Sequence, residues 1–333
     1  MESLVRPSFS AVGDHERLLT VRAITPAADG VITIELADPA GGDLSHWSPG
    51  AHIDVTVHGP EGELTRQYSL CGDPADRSHY RIGVLREPES RGGSAYLHES
   101  LAVGDDVTVA GPRNHFELVT DAASYIFIAG GIGITPLLPM IAALEARGAD
   151  WELHYVGRSA STMAFCEELA PYAGRVHLAP RDCAPRPDLA GLLAEHVPGR
   201  VVYSCGPDAL LDSLEETMAA AGWAPGALHT ERFTPIVVDR SGDEAFEIEL
   251  ANAGLTLTVP ADQSIFATVR EAGVSVLGSC LEGTCGTCET EIVEWSGEIE
   301  HRDTVLTAEE RETNETLMLC VSRCRGGRLT LDL

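Results

Sequence analysis

The fold class this sequence predicts is multidomain: an antiparallel β-barrel, then an α/β domain built on a parallel sheet, then a small α+β domain. Three observations carry that expectation. The chain has 333 residues, more than one compact domain usually holds. Its hydrophobic periodicity changes twice along its length. Three cysteines also crowd into one stretch near the C-terminus, SCLEGTCGTCE (279–289).

The first block, placed at 15–119, alternates apolar and polar residues in LLTVRAIT, VITIELA, AHIDVTV, LTRQYSL, HYRIGVL and DDVTVAG. Turn signals such as DPAGGD and SPG separate these segments. A period of two sends alternate side chains to opposite faces, as in an antiparallel barrel or sandwich. In the second block, 120–228, strand-like YIFIAG, WELHYVG, RVHLA and VVYSCG alternate with helix-like stretches at 136–147, 162–169, 188–196 and 207–221. Strand and helix in alternation imply a parallel sheet with crossover helices. A connector is expected over 229–242. The last block, 243–333, opens with strands FEIEL and LTLTV, followed by the helix SIFATVREAG, the cysteine loop and further strands.

Composition narrows the function classes. A net charge of −28 argues against a nucleic-acid binder, which needs basic groups to replace phosphate counterions. Residues 243–333 alone carry a net charge of −12. That is a solvated surface in the bland reading and a docking face for a basic partner in the sharper one. The N-terminus lacks the long apolar core of a signal peptide. Nine cysteines, an odd and clustered set, suit metal or redox chemistry in a reducing cytoplasm better than a disulfide framework. Residues 122–144 are uncharged and long enough to span a bilayer. Gly130, Gly131, Gly133, Pro136 and Pro139 interrupt them, so strand, turn and helix are expected, and no membrane span.

Cys280, Cys285 and Cys288 stand at C-x4-C-x2-C, the spacing of a plant-type 2Fe–2S site with a distant fourth cysteine. A structural zinc site prefers two paired knuckles, and only Cys285 and Cys288 form one. Small neighbours (Gly283, Thr284, Gly286, Thr287) let backbone N–H groups reach cluster sulfurs. Cys320, at the end of TLMLC, is the preferred fourth ligand, with Cys324 as the other candidate. Cys71, Cys166 and Cys183 are expected to be ordinary small residues.

AGGIGITP (129–136) follows a strand and opens a helix near Pro136, an arrangement that suits a pyrophosphate although it is no G-x-G-x-x-G fingerprint. SCGP (204–207) ends another strand of the same sheet, which brings Cys205 close to whatever the first loop holds. In the first block, Arg66 of RQYSL with Gly92, Gly93 and Ser94 of RGGS could form a phosphate nest. Tyr68 offers a flat face there and Ser69 a donor. Singly, each has a bland explanation as a surface arginine or a turn.

RQYSL, RGGS, GGIGITP, SCGP, HTERF and C-x4-C-x2-C occur in this order, and the chain closely resembles the phthalate dioxygenase reductase family from about residue 15 to its end. Vanillate demethylase reductase components look similar. The resemblance implies an FMN-binding barrel, a nicotinamide domain and a plant-type ferredoxin domain. It implies that Arg66, Tyr68 and Ser69 hold the flavin, with Ser69 near N5, and that Gly92, Gly93 and Ser94 bind its phosphate. Gly131, Gly133 and Thr135 would meet the nicotinamide pyrophosphate, Arg158 the dinucleotide, and Cys205 the nicotinamide ring. Glu231 and Phe233 match an E-x-F element whose aromatic ring covers the flavin. One position departs from the NADH-using pattern: Arg181 stands at or beside the usual acidic residue and Asp182 follows. Asp182 suits a ribose hydroxyl and Arg181 a 2′-phosphate, so NADH is expected with NADPH as the alternative.

The resemblance further implies electron flow from nicotinamide through flavin and cluster to an oxygenase, Rieske-type first and a cysteine-ligated haem monooxygenase second. A bare electron carrier and a zinc-stabilised binding protein are the rival classes; each leaves three ordered motifs unexplained. A monomer is the default expectation. His52, His154 and His177 sit at strand positions and are read as satisfied, ordinary residues. No histidine pair has H-x-x-x-H spacing, so no second metal is expected.

Overall fold

A computed structural model of the chain describes residues 16–59, 62–88, 92–236 and 238–333. The expected start of the barrel at residue 15, Arg91 of the RGGS stretch and Val237 of the connector lie outside the described residues.

The first block contains β1 (Arg17–Ala28), β2 (Val31–Ala37), β3 (His52–Gly59), β4 (Gly62–Ser69), β5 (Tyr80–Leu85), α1 (Gly93–Glu99) and β6 (Asp106–Arg113). The strands form one antiparallel sheet in the order β4-β3-β6-β1-β2-β5, and a bridge between Leu70 and Ile82 brings its two edges together. Alternating residues such as Leu19, Val21, Ile34, Leu36, Ile53, Val55, Ile82 and Val84 fill the interior, as the period-two pattern requires.

The second block contains β7 (Ser124–Gly130), α2 (Leu137–Ala146), β8 (Trp151–Gly157), α3 (Cys166–Leu169), β9 (Val176–Pro180), α4 (Leu189–Leu192), β10 (Arg200–Cys205), α5 (Asp208–Ala220) and β11 (Leu228–Glu231). The five strands are parallel, in the order β11-β10-β7-β8-β9. All seven residues of β7 are buried, because helices cover both faces of a central parallel strand. The long apolar run at 122–144 breaks into β7, a glycine turn and α2. Among the described residues no helix is long and apolar enough to cross a membrane.

Several boundaries differ from expectation. The connector expected at 229–242 begins inside the sheet, where His229, Thr230 and Glu231 pair with Tyr203, Ser204 and Cys205. Backbone pairing with β10 outweighs the mixed composition that suggested a linker. The helix-like stretches at 162–169 and 188–196 shorten to α3 and α4, of four residues each. Pro136 caps α2 instead of lying inside it.

The third block contains β12 (Phe246–Leu250), β13 (Leu255–Val259), α6 (Ile265–Glu271), β14 (Glu289–Trp295), β15 (Glu298–Glu300), α7 (Ala308–Thr313), β16 (Thr316–Met318), β17 (Arg323–Arg325) and β18 (Arg328–Leu331). A five-stranded sheet in the order β13-β12-β18-β14-β16 packs α6 against its core. The strand expected to end at Cys320 stops at Met318, leaving Cys320 in the turn beyond it. Arg302 donates to Asp243 at 2.9 and 2.5 Å, and both side chains are almost fully buried, so the pair anchors the first residue of this block, next to the connector.

Candidate functional site

Four thiols converge in the third block. Cys280, Cys285 and Cys288 come from the loop between α6 and β14, and Cys320 comes from the turn after β16. The Cys280 thiol neighbours those of Cys285 and Cys320, and Cys288 neighbours Cys320. Hydrogen bonds from Cys285 and then Cys320 hold Cys280 well below the ordinary thiol range. The N–H groups of Glu282 and Thr284 each donate to Cys280 Sγ at 3.4 Å, and the Thr287 hydroxyl lies 3.1 Å from Cys285 Sγ. Left-handed backbone at Leu281 (φ 57), Gly283 (φ 76) and Gly286 (φ 72) curls the loop so that these N–H groups face the sulfurs. Cys324 takes no part: its thiol donates to Ser296 O at 3.2 Å. The geometry therefore favours Cys320 as the fourth member. Four converging thiols, one of them accepting two backbone N–H groups, are a donor set that fits a 2Fe–2S cluster.

A second constellation lies where the barrel meets the parallel sheet. Ala129, Cys205 and Glu231 occupy neighbouring positions at the carboxyl ends of β7, β10 and β11. From the barrel, the Ser69 hydroxyl at the end of β4 reaches Glu231 Oε2 at 3.5 Å, a long contact. Burial pushes the Glu231 carboxyl up to about 8, against the opposing effect of Ser69. Burial and then the nearby Glu231 push the Cys205 thiol well above its usual range, so Cys205 is an uncharged wall of this junction and no nucleophile. The two glycine loops interlock behind it. A Cβ on Gly133 would sit 2.2 Å from Cys205 O, and one on Gly206 would sit 2.9 Å from Gly130 Cα.

Thr135 closes the glycine loop. Its hydroxyl donates to Ile132 O at 2.9 Å, its N–H donates to the same carbonyl, and its methyl group lies 2.8 Å from where Gly83 of β5 would carry a Cβ. It packs the glycine loop onto the barrel and presents no free donor. Arg158 and the Arg181–Asp182 pair are exposed at the carboxyl ends of β8 and β9, joined through Arg181 N and Gly157 O at 3.0 Å. Phe233 is 44% exposed.

On the barrel, Arg66 lies across Gly93, where a Cβ would come within 2.8 Å of Arg66 Cγ, and its Nη1 donates to Thr65 O at 2.7 Å. Gly92 takes φ 106 just before α1, and Ser94 Oγ accepts from Glu87 N at 3.2 Å. Burial raises the Tyr68 hydroxyl well above the usual phenol range, with Arg66 partly opposing it. The four residues Arg66, Tyr68, Gly93 and Ser94 therefore border one region of the barrel.

The contact between barrel and cysteine loop was not legible from the motifs. Gln67 Nε2 donates to Asp54 Oδ1 at 2.7 Å and reaches Ser279 Oγ at 3.4 Å. Arg113 pairs with Asp54 beside it. A Cβ on Gly286 would meet His115 Nε2 at 2.2 Å. His52 is buried here, and its Nε2 has no hydrogen-bond partner among the described residues, so it is not the satisfied strand residue expected. Burial, and then Arg113, lower it to about 3, which leaves the imidazole neutral. On the barrel side of this contact, only Gln67, inside RQYSL, lay in a recognisable motif. The remaining cysteines fit the bland reading: Cys71 and Cys166 donate to Arg81 O and Met163 O, and Cys183 is exposed.

Residues 248–325 match the family model of the 2Fe-2S iron-sulfur cluster binding domain. The chain is 43% identical to the phenoxybenzoate dioxygenase subunit beta of Ectopseudomonas oleovorans, over 95% of this chain and 97% of that protein. Among solved structures, phthalate dioxygenase reductase superposes with a TM-score of 0.68 at 35% identity, covering 96% of this chain and 98% of that one. An intact type IV self-sufficient cytochrome P450 monooxygenase superposes with a TM-score of 0.88 at 44% identity; 96% of this chain is covered, but only 41% of that one.

Proposed function

Because the chain belongs to the phthalate dioxygenase reductase family of electron-transfer reductase components, we propose that it passes electrons from NADH through FMN and a 2Fe–2S cluster to a Rieske-type aromatic oxygenase or demethylase. The observation that carries this reading is the use of one strand for two purposes. In β4, Arg66, Tyr68 and Ser69 border the region expected to hold the flavin, while Gln67 between them reaches Ser279 beside the cysteine loop. Flavin and cluster residues are thus adjacent in the chain, which supports a short path between the two groups.

When bound, the nicotinamide supplies a hydride, the flavin accepts two electrons and gives them up singly, and the cluster passes on one at a time. The protein's part is placement. Arg66 with Gly92, Gly93 and Ser94 would hold the flavin phosphate, Tyr68 would offer its face to the ring, and Ser69 would stand toward its N5 edge. Gly131 and Gly133 let the nicotinamide pyrophosphate approach the glycine loop, Thr135 closes that loop on the barrel, and Cys205 walls the nicotinamide side. Glu231 holds Ser69 in place, and Phe233 covers the flavin face. Arg158 contacts the dinucleotide and Asp182 its ribose, with Arg181 as the residue that would admit NADPH. Cys280, Cys285, Cys288 and Cys320 hold the cluster. The flavin unit is taken as 15–119 and the cluster unit as 243–333. The nucleotide unit extends to 231, since β11 completes its sheet.

The similarity to a self-sufficient cytochrome P450 monooxygenase over 96% of this chain supports a second reading, with a cysteine-ligated haem monooxygenase as acceptor. Anaerobic visible spectra before and after one equivalent of NADH test the shared core. Flavin and cluster bands that bleach together are expected, with FMN as the extracted flavin; a colourless protein overturns both readings. Reduction of a Rieske centre and of a haem by the NADH-treated protein, compared side by side, then decides the acceptor.

A further inference from the structure

The parallel sheet carries a group of side chains that none of the proposed electron-transfer steps uses. In the register of β8 and β9, His154 pairs directly with His177, and Glu152 lies two residues before His154 on the same face. The neighbouring strand places Ile126 beside Glu152 and Ile128 beside His154. Those isoleucines are covered by Leu214 and Met218 of α5. At β8 and β9 the same face turns polar.

We propose that Glu152, His154 and His177 form a binding site for a divalent cation of borderline softness, with zinc the best match. Two imidazoles and a carboxylate are a donor set that zinc uses readily. One ligand atom from each of the three residues lies within 4.8 Å of the other two. His154 Nε2 and His177 Nε2 stand 3.7 and 3.9 Å from Glu152 Oε2, and the imidazole rings stack at 4.7 Å. Those nitrogen–oxygen separations are too long for hydrogen bonds. Around a tetrahedral zinc with bonds near 2.0–2.1 Å, ligand atoms stand about 3.3 Å apart, so small side-chain rotations bring all three onto one ion.

His154 Nε2 is buried and has no hydrogen-bond partner among the described residues. A buried polar atom without a partner is costly, and a cation would satisfy its lone pair. Glu152 and His177 also line an open recess of about 240 Å³ near the amino-terminal ends of β7, β8, β9 and β10, which gives an ion an approach to these two side chains. The three residues stand only two apart on one strand and opposite one another on the next, so no sequence-local spacing marks them.

The test is a calorimetric titration of zinc into the full chain with its flavin and cluster in place, with cluster absorbance followed to verify that the cysteines keep their iron. One equivalent of zinc is expected to bind. His177→Ala and Glu152→Gln, both at accessible positions that fold tolerates, are expected to weaken binding about tenfold or more. His154→Ala adds a third variant if it folds. Zinc should also raise the unfolding temperature of the unmodified chain and not that of His177→Ala. Anomalous diffraction at the zinc edge should place the ion between the two histidines. No binding, equal affinity in His177→Ala and Glu152→Gln, or an ion located elsewhere overturns the proposal.

Discussion

The cysteine loop and the junction of barrel with parallel sheet both depend on glycine, for different reasons. In the loop, Gly283 adopts left-handed backbone (φ 76) between Glu282 and Thr284, whose N–H groups donate to Cys280 Sγ. At the junction, Gly133 keeps an ordinary backbone and is glycine for lack of space, since a Cβ there would sit 2.2 Å from Cys205 O. The loop is a local device whose conformation follows from eleven consecutive residues and one distant cysteine. The junction is a tertiary device, made where strands far apart in the chain end side by side. The loop should therefore fail through its ligands or its backbone angles, and the junction through packing and burial.

The largest effect is expected from Cys285→Ser. Electron delivery to a one-electron acceptor should fall more than about a hundredfold as the cluster is lost. Flavin reduction by the nicotinamide should persist in the same preparation. Cys324→Ser should retain the cluster spectrum; its loss there would reverse the choice of fourth ligand. Next, Arg66→Ala should weaken flavin retention about 10- to 100-fold, the worth of a charge-assisted contact, measured by flavin release on dilution. Cluster absorbance should stay unchanged, keeping the two regions separable.

Gly133→Ala should cost about 1–3 kcal/mol by overpacking and raise the KM for the nicotinamide. Asparagine tolerates left-handed backbone. Gly283→Asn should accordingly be milder than Gly283→Ala, although Val321 already stands 2.7 Å from a Cβ there. Asparagine should give no such relief at Gly133. If both sites respond alike to asparagine, the contrast between angle and space fails.

The smallest effect concerns Glu231. Burial raises its carboxyl from an ordinary 4.5 to about 8, so the folded state holds a proton that the unfolded chain gives up. Stability from this group is complete below pH 4.5 and is lost as pH rises through 8. Between pH 6 and 7 the chain should lose about 1 kcal/mol relative to Glu231→Gln, read from chemical unfolding at each pH. Parallel curves for the two proteins would mean that the carboxyl is solvated.

Much of this molecule was legible from one dimension. Alternation of apolar residues marked the barrel strands to within a few positions, because side chains in a strand point in and out by turns. The strand–helix alternation marked the parallel sheet, and C-x4-C-x2-C marked the cluster loop. What sequence reading misplaced lay where partners are distant: β11 was taken for a connector, since only its pairing with β10 makes it a strand. His52 was taken for a satisfied strand residue, since nothing local reveals that it is buried near the cysteine loop with no hydrogen-bond partner for its Nε2 among the described residues.

By itself, the sequence determined the order of the three blocks, the C-x4-C-x2-C spacing of one loop, and the family, because those rest on short-range spacing and periodicity. Tertiary structure added that Cys320, already preferred in the sequence, lies beside the loop thiols while Cys324 is turned to Ser296. It also decided that Gln67 and His115 meet the cluster loop, and that Glu152, His154 and His177 share one face. Each of these depends on strand register and on how two sheets dock, and a one-residue shift in register would send every such side chain to the other face.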